Sequence, residues 1–254
     1  MRYDFLTLFP STVEAYLAVG VLGQALRAGI LDARVHDLRR WSVNRYGQVD
    51  DEPYGGGPGM VLLAPVVVSA VRALAGPSTR VVVPDPRGRR FDDGVARELA
   101  GCEHLLFVCG RYEGFDERIR RLLTVEEVSL GDFVVSGGEL PALTVADAAA
   151  RYLAGVVGDF GSVEADSFAT GLLDHPVYTR PRSFEGEEVP DVLLSGDHEA
   201  VRRWRLESAV RLTLRHRPDL IGAGWSGFSA EVRKVITDVA RQEAIPLPAP
   251  ESFP

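Results

Sequence analysis

Long apolar runs and cysteine are scarce in this chain of 254 residues. No run is long enough to span a bilayer, and the opening residues, MRYDFLTLFP, have neither the basic segment nor the cleavage site of a secretory signal. The two cysteines, Cys102 and Cys109, lack the spacing of metal ligands. We therefore interpret them as small hydrophobic side chains buried in the core. We therefore expect a cytoplasmic protein without a zinc site.

Two nucleotide-binding motifs are absent as well. The glycine-flanked run GRYEG, at 110–114, lacks both the G-x-G-x-x-G spacing of a dinucleotide-binding fold and the terminal GK[ST] of a phosphate loop. Neither assignment is supported, so any ligand has to be inferred from other features.

The chain does contain enough apolar material for a sizeable core, since 46% of its residues are hydrophobic. Strands alternate with helices in its first part, a pattern that predicts a mostly parallel sheet with helices on its faces. Near Gly155 the sequence becomes small, polar and poorly periodic before helical spacing resumes. We predict a first domain over 1–157, a linker over 158–173 and a small, mostly helical domain over 174–254 with a frayed end.

Hydrophobic spacing and turn signals predict the individual elements. Ser11 and Glu14 have the spacing of a capping box at the start of the first helix, and apolar residues at helical spacing predict another helix from Phe115 to Leu123. The other predicted strands cover 2–8, 30–37, 80–83 and 105–109, and the other predicted helices cover 66–75, 94–100, 142–153, 199–214 and 230–244.

The most informative stretch runs from Leu105 to Pro141, because an apolar strand twice ends in glycine-flanked polar residues within it. Glycine at the carboxyl end of a strand lets backbone N–H and C=O groups approach a ligand, and open α/β sheets bind ligands at that edge. A third glycine-rich run, YGGGPGM, lies in the long polar loop over 39–60, which we interpret as functional. The three runs predict a ligand site without identifying the ligand.

The charge pattern allows two interpretations. A net charge of −8 opposes binding to a polyanion, yet arginines crowd one predicted helix around Trp204. That helix is either an electrostatic footprint for phosphates or a solvated face whose tryptophan packs in a core. The residues alone favour the solvated face.

Five long strings resemble the bacterial tRNA (guanine-N1-)-methyltransferases, the TrmD family of the SPOUT class. They are VDDEPYGGGPGM, VCGRYEGFDER, SLGDFVVSGGELPALT, ADSFATGLLDHPVYTRP and VPDVLLSGDHEAVRRWR, and they cover nearly the whole chain in order. The resemblance implies an α/β, SPOUT-type, mostly parallel sheet with a deep trefoil knot, plus a small, mostly helical C-terminal domain. It also implies a homodimer with active sites at the subunit interface, and it favours contact between tRNA and the arginine-rich helix.

The implied reaction transfers a methyl group from S-adenosylmethionine to N1 of the guanosine immediately 3′ of the tRNA anticodon, position 37. N1 carries a proton at neutral pH, so a base must remove it. The resemblance assigns Asp166 as this general base and Arg151 as the cation that stabilises charge developing on guanine O6. Without the resemblance, the same positions indicate a helix N-cap and an ordinary exposed helix residue.

The resemblance also assigns binding residues. The predicted cofactor-binding residues are Val83, Pro84, Gly110, Tyr112, Glu113, Gly114, Leu130, Gly131, Phe133, Val135, Gly137, Gly138 and Pro141. The predicted substrate-binding residues are Asp50, Gly55, Gly56, Gly59, Arg203 and Arg205.

Two positions depart from the family pattern. Phe133 stands where the family has tyrosine, so a hydroxyl is lost and the ring is kept. Ala165 stands where an acidic residue can occur, with Glu164 one place earlier. This departure argues against a magnesium site that uses the neighbour of Asp166. Mg2+ stays an open alternative, and no metal ligand is assigned.

Two other functions stay open. A SPOUT-class RNA ribose 2′-O-methyltransferase would activate a hydroxyl group instead of a base nitrogen. A non-catalytic RNA-binding module would keep the glycine loops as scaffold and bind tRNA without turnover. Identification of the methylated nucleoside would distinguish ribose methylation from methylation of guanine N1. Failure to bind S-adenosylmethionine would favour the non-catalytic module.

Overall fold

The computed structural model describes residues 1–158 and 160–247. These residues form two compact units, Met1–Phe160 and the chain from Gly161 onward. Within the described ranges, no helix has both the length and the apolar character needed to cross a membrane. Residues 248–254 of the predicted frayed end, and residue 159 of the predicted linker, lie outside the described ranges.

The first unit is built on a parallel sheet. Its strands are β1 (Arg2–Thr7), β2 (Asp32–Asp37), β3 (Asp50–Asp51), β4 (Val61–Leu62), β5 (Thr79–Arg90), β6 (His104–Val108) and β7 (Glu126–Ser129). Five of them form a sheet in the order β2-β1-β6-β5-β7, in which each neighbouring pair is parallel. Strands β3 and β4 form a separate antiparallel pair. The predicted α/β architecture with a parallel central sheet is confirmed.

Helices cover both faces of this sheet. They are α1 (Pro10–Leu17), α2 (Gly20–Arg27), α3 (Ala64–Leu74), α4 (Asp93–Ala100), α5 (Ile119–Leu122) and α6 (Glu139–Ala150). Tyr3, Phe5 and Phe107 pack with apolar residues of α1, α2, α4 and α6 on one face. Leu6 and Leu106 pack with α3 on the other. Burial on both faces explains why β6 reads as a continuous apolar run.

The start of α1 differs from the prediction. The helix begins at Pro10, and its N-cap residue, Phe9, makes no side-chain capping hydrogen bond. The capping box at Ser11 and Glu14 is therefore wrong. Proline suits the first helical position because its φ is already helical and its missing N–H has no partner there.

The helix predicted from Phe115 to Leu123 is shorter than expected, covering only Ile119–Leu122. The preceding segment is held in an extended path, because Asp116 N donates to Leu62 O at 3.0 Å. Strand β5 is longer than expected, and its register against β7 shifts between Pro84 and Arg89. Local periodicity does not report either tertiary pairing.

The second unit is mostly helical. The short helix α7 (Phe160–Ala165) falls within the predicted linker. The elements that follow it are β8 (Ser183–Phe184), β9 (Glu187–Glu188), α8 (His198–His216), α9 (Pro218–Gly224) and α10 (Ala230–Gln242). Asp197 caps α8 by accepting from Glu199 N and Ala200 N. Val210, Leu214 and Ile236 belong to its core.

Candidate active site

The central strands β5, β6 and β7 are parallel neighbours, so their carboxyl ends meet at one edge of the sheet. A cavity of about 570 Å³ opens there. Its walls come from Pro84–Arg87 of β5, from the loop after β6 and from the loop between β7 and α6. This is the edge at which open α/β sheets bind ligands, and the volume suits a small-molecule site.

The cavity brings together nearly all of the predicted cofactor residues. Those that line it are Pro84, Gly110, Tyr112, Glu113, Gly114, Leu130, Gly131, Phe133, Val135, Gly137, Gly138 and Pro141. Val83 precedes them in β5, but its side chain is fully buried in the core. Lining a common cavity identifies no ligand, so the role of these residues stays a prediction.

Glycine is required where the two loops of the cavity meet. Gly138 N donates to Gly110 O at 2.8 Å. A Cβ atom at position 138 would lie 2.7 Å from Gly110 N and 2.9 Å from the Cα of Cys109. Gly131 has a φ of +147°, a conformation that residues with a Cβ rarely adopt. The close approach of the backbone explains the glycine at position 138, and the unusual φ explains the glycine at position 131.

An ion pair that the sequence analysis did not assign lies against the cavity. Arg111 lines the cavity, and its Nη2 lies 2.8 Å from Oε2 of the buried Glu139. Thr7 Oγ1 donates to Glu139 Oε1 at 2.6 Å. Burial, together with the charge of Glu139, raises the pKa of the Cys109 thiol. The sequence does not reveal this pair, because an acid such as Glu139 in the first turn of a helix normally indicates only a favourable interaction with the helix dipole.

Charged residues also surround the lip of the cavity. Arg120 Nη2 lies 2.7 Å from Asp85 Oδ2, and Arg87 Nε lies 3.2 Å from Asp85 Oδ1. Burial opposes ionisation of Asp85, but the hydrogen bonds from Arg87 and the charges of both arginines outweigh it and lower the pKa of this carboxyl. Asp85 is therefore a structural anion held between two cations.

The glycine-rich loop reaches the margin of the same cavity. Glu113 N donates to Met60 O at 3.0 Å, and a Cβ atom at Gly59 would lie 2.5 Å from Glu113 Oε1. Asp50 pairs with Leu62 between β3 and β4. Of the predicted substrate residues, Asp50 thus lies in β3, and Gly55, Gly56 and Gly59 lie in the loop between β3 and β4 that is tied to the cavity wall. None of the four lines the cavity.

The two candidate catalytic residues occupy helix ends. Arg151 is the C-cap of α6, and its N–H donates to Asp147 O at 3.3 Å. Burial raises the pKa of Asp147, and the charge of Arg151 opposes that shift. Asp166 directly follows α7, and no described helix begins at Ser167, so the alternative interpretation of Asp166 as an N-cap is wrong.

The arginine-rich helix is α8, and most of its positive charge is neutralised locally. Arg203 Nε lies 2.8 Å from Glu207 Oε1, and Arg202 pairs with both Glu199 and Glu231. Arg205 instead lines a cavity within the second unit. The two arginines predicted to bind substrate are therefore not equivalent.

The fold and the site together define the class of this protein, an α/β protein with a ligand cavity at the carboxyl edge of a parallel sheet. A sequence profile of the family described as tRNA (Guanine-1)-methyltransferase TrmD matches residues 1–223. The chain therefore belongs to this family, as the resemblance predicted. The family is one of methyltransferase enzymes, whose reaction needs a methyl donor.

Individual relatives agree with this assignment. Each is named tRNA (guanine-N(1)-)-methyltransferase. The protein from Geobacter sulfurreducens is 49% identical over 223 residues, covering 87% of this chain and 91% of the relative. That from Moorella thermoacetica is 45% identical over 247 residues, covering 96% and 98%. That from Bacillus licheniformis is 49% identical over 224 residues, covering 87% and 92%.

Proposed function

We propose that this protein transfers a methyl group from S-adenosylmethionine to N1 of the guanosine immediately 3′ of the tRNA anticodon, position 37. The observation that carries the proposal is the cavity of about 570 Å³ walled by the two glycine loops at the sheet edge. Membership of a family whose relatives are named for guanine-N1 methylation of tRNA supports the choice of substrate.

The cavity suits an adenosine-containing methyl donor in several respects. Gly110, Gly131 and Gly138 line the cavity, and each of their carbonyl oxygens has a second lone pair that can accept from the edge of a base. Leu130 and Pro141 add apolar walls. The carboxylate of Glu113 suits the ammonium group of the methionine part. S-adenosylmethionine would supply an electrophilic methyl group held by a sulfonium.

Two residues of this chain would carry the proton and charge changes. When guanine N1 attacks the methyl carbon, the S–CH3 bond breaks, the N1–CH3 bond forms, and the N1 proton passes to the carboxylate of Asp166. Negative charge that develops on guanine O6 is stabilised by the guanidinium of Arg151, whose charge is permanent. Asp50 and the loop glycines Gly55, Gly56 and Gly59 would face the guanine.

The resemblance extends the proposal to knot and domain organisation. The family resemblance implies a deep trefoil knot in the cofactor loops, which lie in backbone contact where Gly138 N donates to Gly110 O at 2.8 Å. The mostly helical chain over 174–254 would bind tRNA after a linker over 158–173. The expected location is the cytoplasm.

A homodimer with active sites at the subunit interface is supported by exposed apolar side chains beside the cavity. Val134 is 84% exposed, Leu140 63% and Phe133 58%. Apolar side chains grouped in this way mark an interaction surface. A requirement for Mg2+ stays open, and calorimetry with and without the ion would decide it.

Incubation with radiolabelled S-adenosylmethionine tests the function directly. The substrates are a tRNA transcript with guanosine 3′ of the anticodon and the same transcript with adenosine there. We expect N1-methylguanosine from the first transcript alone after digestion to nucleosides. A ribose-methylated nucleoside would replace the proposal with 2′-O-methylation, and binding of tRNA without any product would replace it with a non-catalytic role.

A further inference from the structure

The second unit contains a cavity of its own, of about 590 Å³, between the segment 175–182 and the first turns of α8. Val177, Tyr178, Leu194 and Val201 contribute apolar surface to it. Val177 is 80% exposed, and Tyr178 and Leu194 are each 50% exposed. The cavity is therefore open to solvent and lies outside the core of this unit, which is formed around Val210 and Ile236.

The arginines of this cavity differ from those around it. On α8, Arg202, Arg203, Arg211 and Arg215 each have a carboxylate partner at 2.5 to 2.8 Å. Arg205 is the exception, since the described chain holds no ion-pair or hydrogen-bond partner for its guanidinium.

Arg180 repeats this pattern in the segment 175–182. Its neighbour Arg182 lies 2.9 Å from Asp191 Oδ1, whereas Arg180 has no carboxylate partner in the described part of the chain. These two guanidiniums line the same cavity, and no aspartate or glutamate of the described residues lines it. Most arginines of this acidic protein are paired. The charges of Arg180 and Arg205 instead lie beside the same apolar surface.

This combination matches the chemistry of an unstacked nucleotide. Guanidinium groups bind phosphate oxygens through two parallel hydrogen bonds. Unpaired bases of RNA are held by stacking on aromatic side chains, and Tyr178 presents a half-exposed ring whose centroid lies 6.3 Å from that of Trp204. The volume is in the range of small-ligand sites, which is enough for one nucleotide.

We propose that this cavity binds one unpaired nucleotide of the tRNA substrate, with its phosphate on Arg180 and Arg205 and its base against Tyr178. The inference rests on the proposed function for the identity of the RNA. It assigns tRNA contact to two unpaired arginines and not to the arginine-rich helix face as a whole.

Arg205→Gln and Arg180→Gln test the proposal, with Arg241→Gln as the matched control. Arg241 is 78% exposed in the same unit and lies outside this cavity, so its replacement removes the same charge elsewhere. Affinity for the tRNA transcript is measured by fluorescence anisotropy at several salt concentrations. We expect each cavity variant to weaken binding roughly tenfold and to lower the salt slope by about one, and the control to match the parent.

Two further variants separate charge from stacking. Arg205→Lys keeps the charge, so it should retain the salt slope of the parent while losing part of the affinity. Tyr178→Ala should weaken binding without changing the slope. The four substituted side chains, those of Tyr178, Arg180, Arg205 and Arg241, are exposed at the surface of the unit. Thermal melting of each variant checks that the fold is intact.

Equal tRNA affinity of Arg205→Gln, Arg180→Gln and Arg241→Gln would overturn the inference. So would a change confined to the oligomeric state in sedimentation, because the cavity would then serve a second copy of the chain. If the parent methylates tRNA and the cavity variants bind it normally, only this inference fails. If the parent binds tRNA through Arg180 and Arg205 without methylating it, only the proposed reaction fails.

Discussion

Arg111 and Glu139 form an ion pair of 2.8 Å that joins the two glycine loops of the candidate active site. Arg111 belongs to the loop after β6, and Glu139 begins α6 after the second loop. Glu139 is 1% exposed, and the guanidinium of Arg111 also lies 4.3 Å from the ring centroid of Phe9. We infer that this pair holds the loops in the spacing that defines the cavity.

Glu139→Gln should therefore impair both stability and cofactor binding. Removal of one partner leaves a partly buried guanidinium uncompensated, which costs about 3–5 kcal/mol. We expect the free energy of unfolding in urea to fall by that order and the affinity for S-adenosylmethionine in calorimetry to fall at least tenfold.

Glu98→Gln is the matched control for this prediction. Glu98 pairs with Arg80 at 2.5 Å and with Arg89 at 2.8 Å, but its side chain is 42% exposed. Solvent screens exposed pairs such as these, so this variant should unfold nearly as the parent does and bind the cofactor normally. Unchanged affinity in Glu139→Gln would show that the buried pair does not position the loops.

Gly138→Ala should disrupt the contact between the two glycine loops. The added Cβ would lie 2.7 Å from Gly110 N, within the backbone of the facing loop, so the loops must separate. We expect S-adenosylmethionine binding to be lost in calorimetry. Gly76→Ala is the control, because its Cβ would meet only Thr79 Oγ1 at 3.9 Å. Equal binding by the two variants would argue against a cofactor site that depends on this contact.

Asp166→Asn should suppress methyl transfer and spare cofactor binding, because only the capacity to accept the N1 proton is lost. We expect single-turnover methylation to fall about 10²–10⁴-fold. Glu164→Gln, which changes an exposed acid two positions away, should keep the activity of the parent. An active Asp166→Asn variant would remove Asp166 from the role of base.

His104 should make the stability depend on pH. It is buried, with Nε2 2.9 Å from Asp4 Oδ2 and Nδ1 2.7 Å from Thr79 Oγ1. Burial lowers the pKa of His104, and the charge of Arg2 adds to this effect against the attraction of Asp4. The unfolded chain then binds the proton more readily, so stability should fall as the pH drops below about 6.5.

Urea unfolding between pH 5 and pH 8 measures this dependence. His104→Gln should flatten the profile near its acidic end, whereas His198→Gln, at an exposed position of α8, should leave the profile of the parent. A profile of His104→Gln that keeps the full acid slope would assign the dependence to other groups.

Much of the fold follows from local patterns in the sequence. The alternation of strands and helices predicts the parallel sheet because buried parallel strands need apolar residues on both faces, as in β6. Predictions failed where a tertiary contact overrides local preference. The hydrogen bond from Asp116 to Leu62 O keeps the start of one predicted helix extended, and the pairing with β7 prolongs β5 beyond Pro84.

The sequence by itself determined the glycine positions, the order of the elements and the family, because these depend on residue types and their spacing along the chain. Only the tertiary structure decided which distant residues meet. It places Pro84, Gly110 and Leu130 around one cavity because three parallel strands end at one edge. It also pairs Arg203 with Glu207 and gives Arg205 no partner among the described residues, since charge neutralisation depends on distances in space and not on composition.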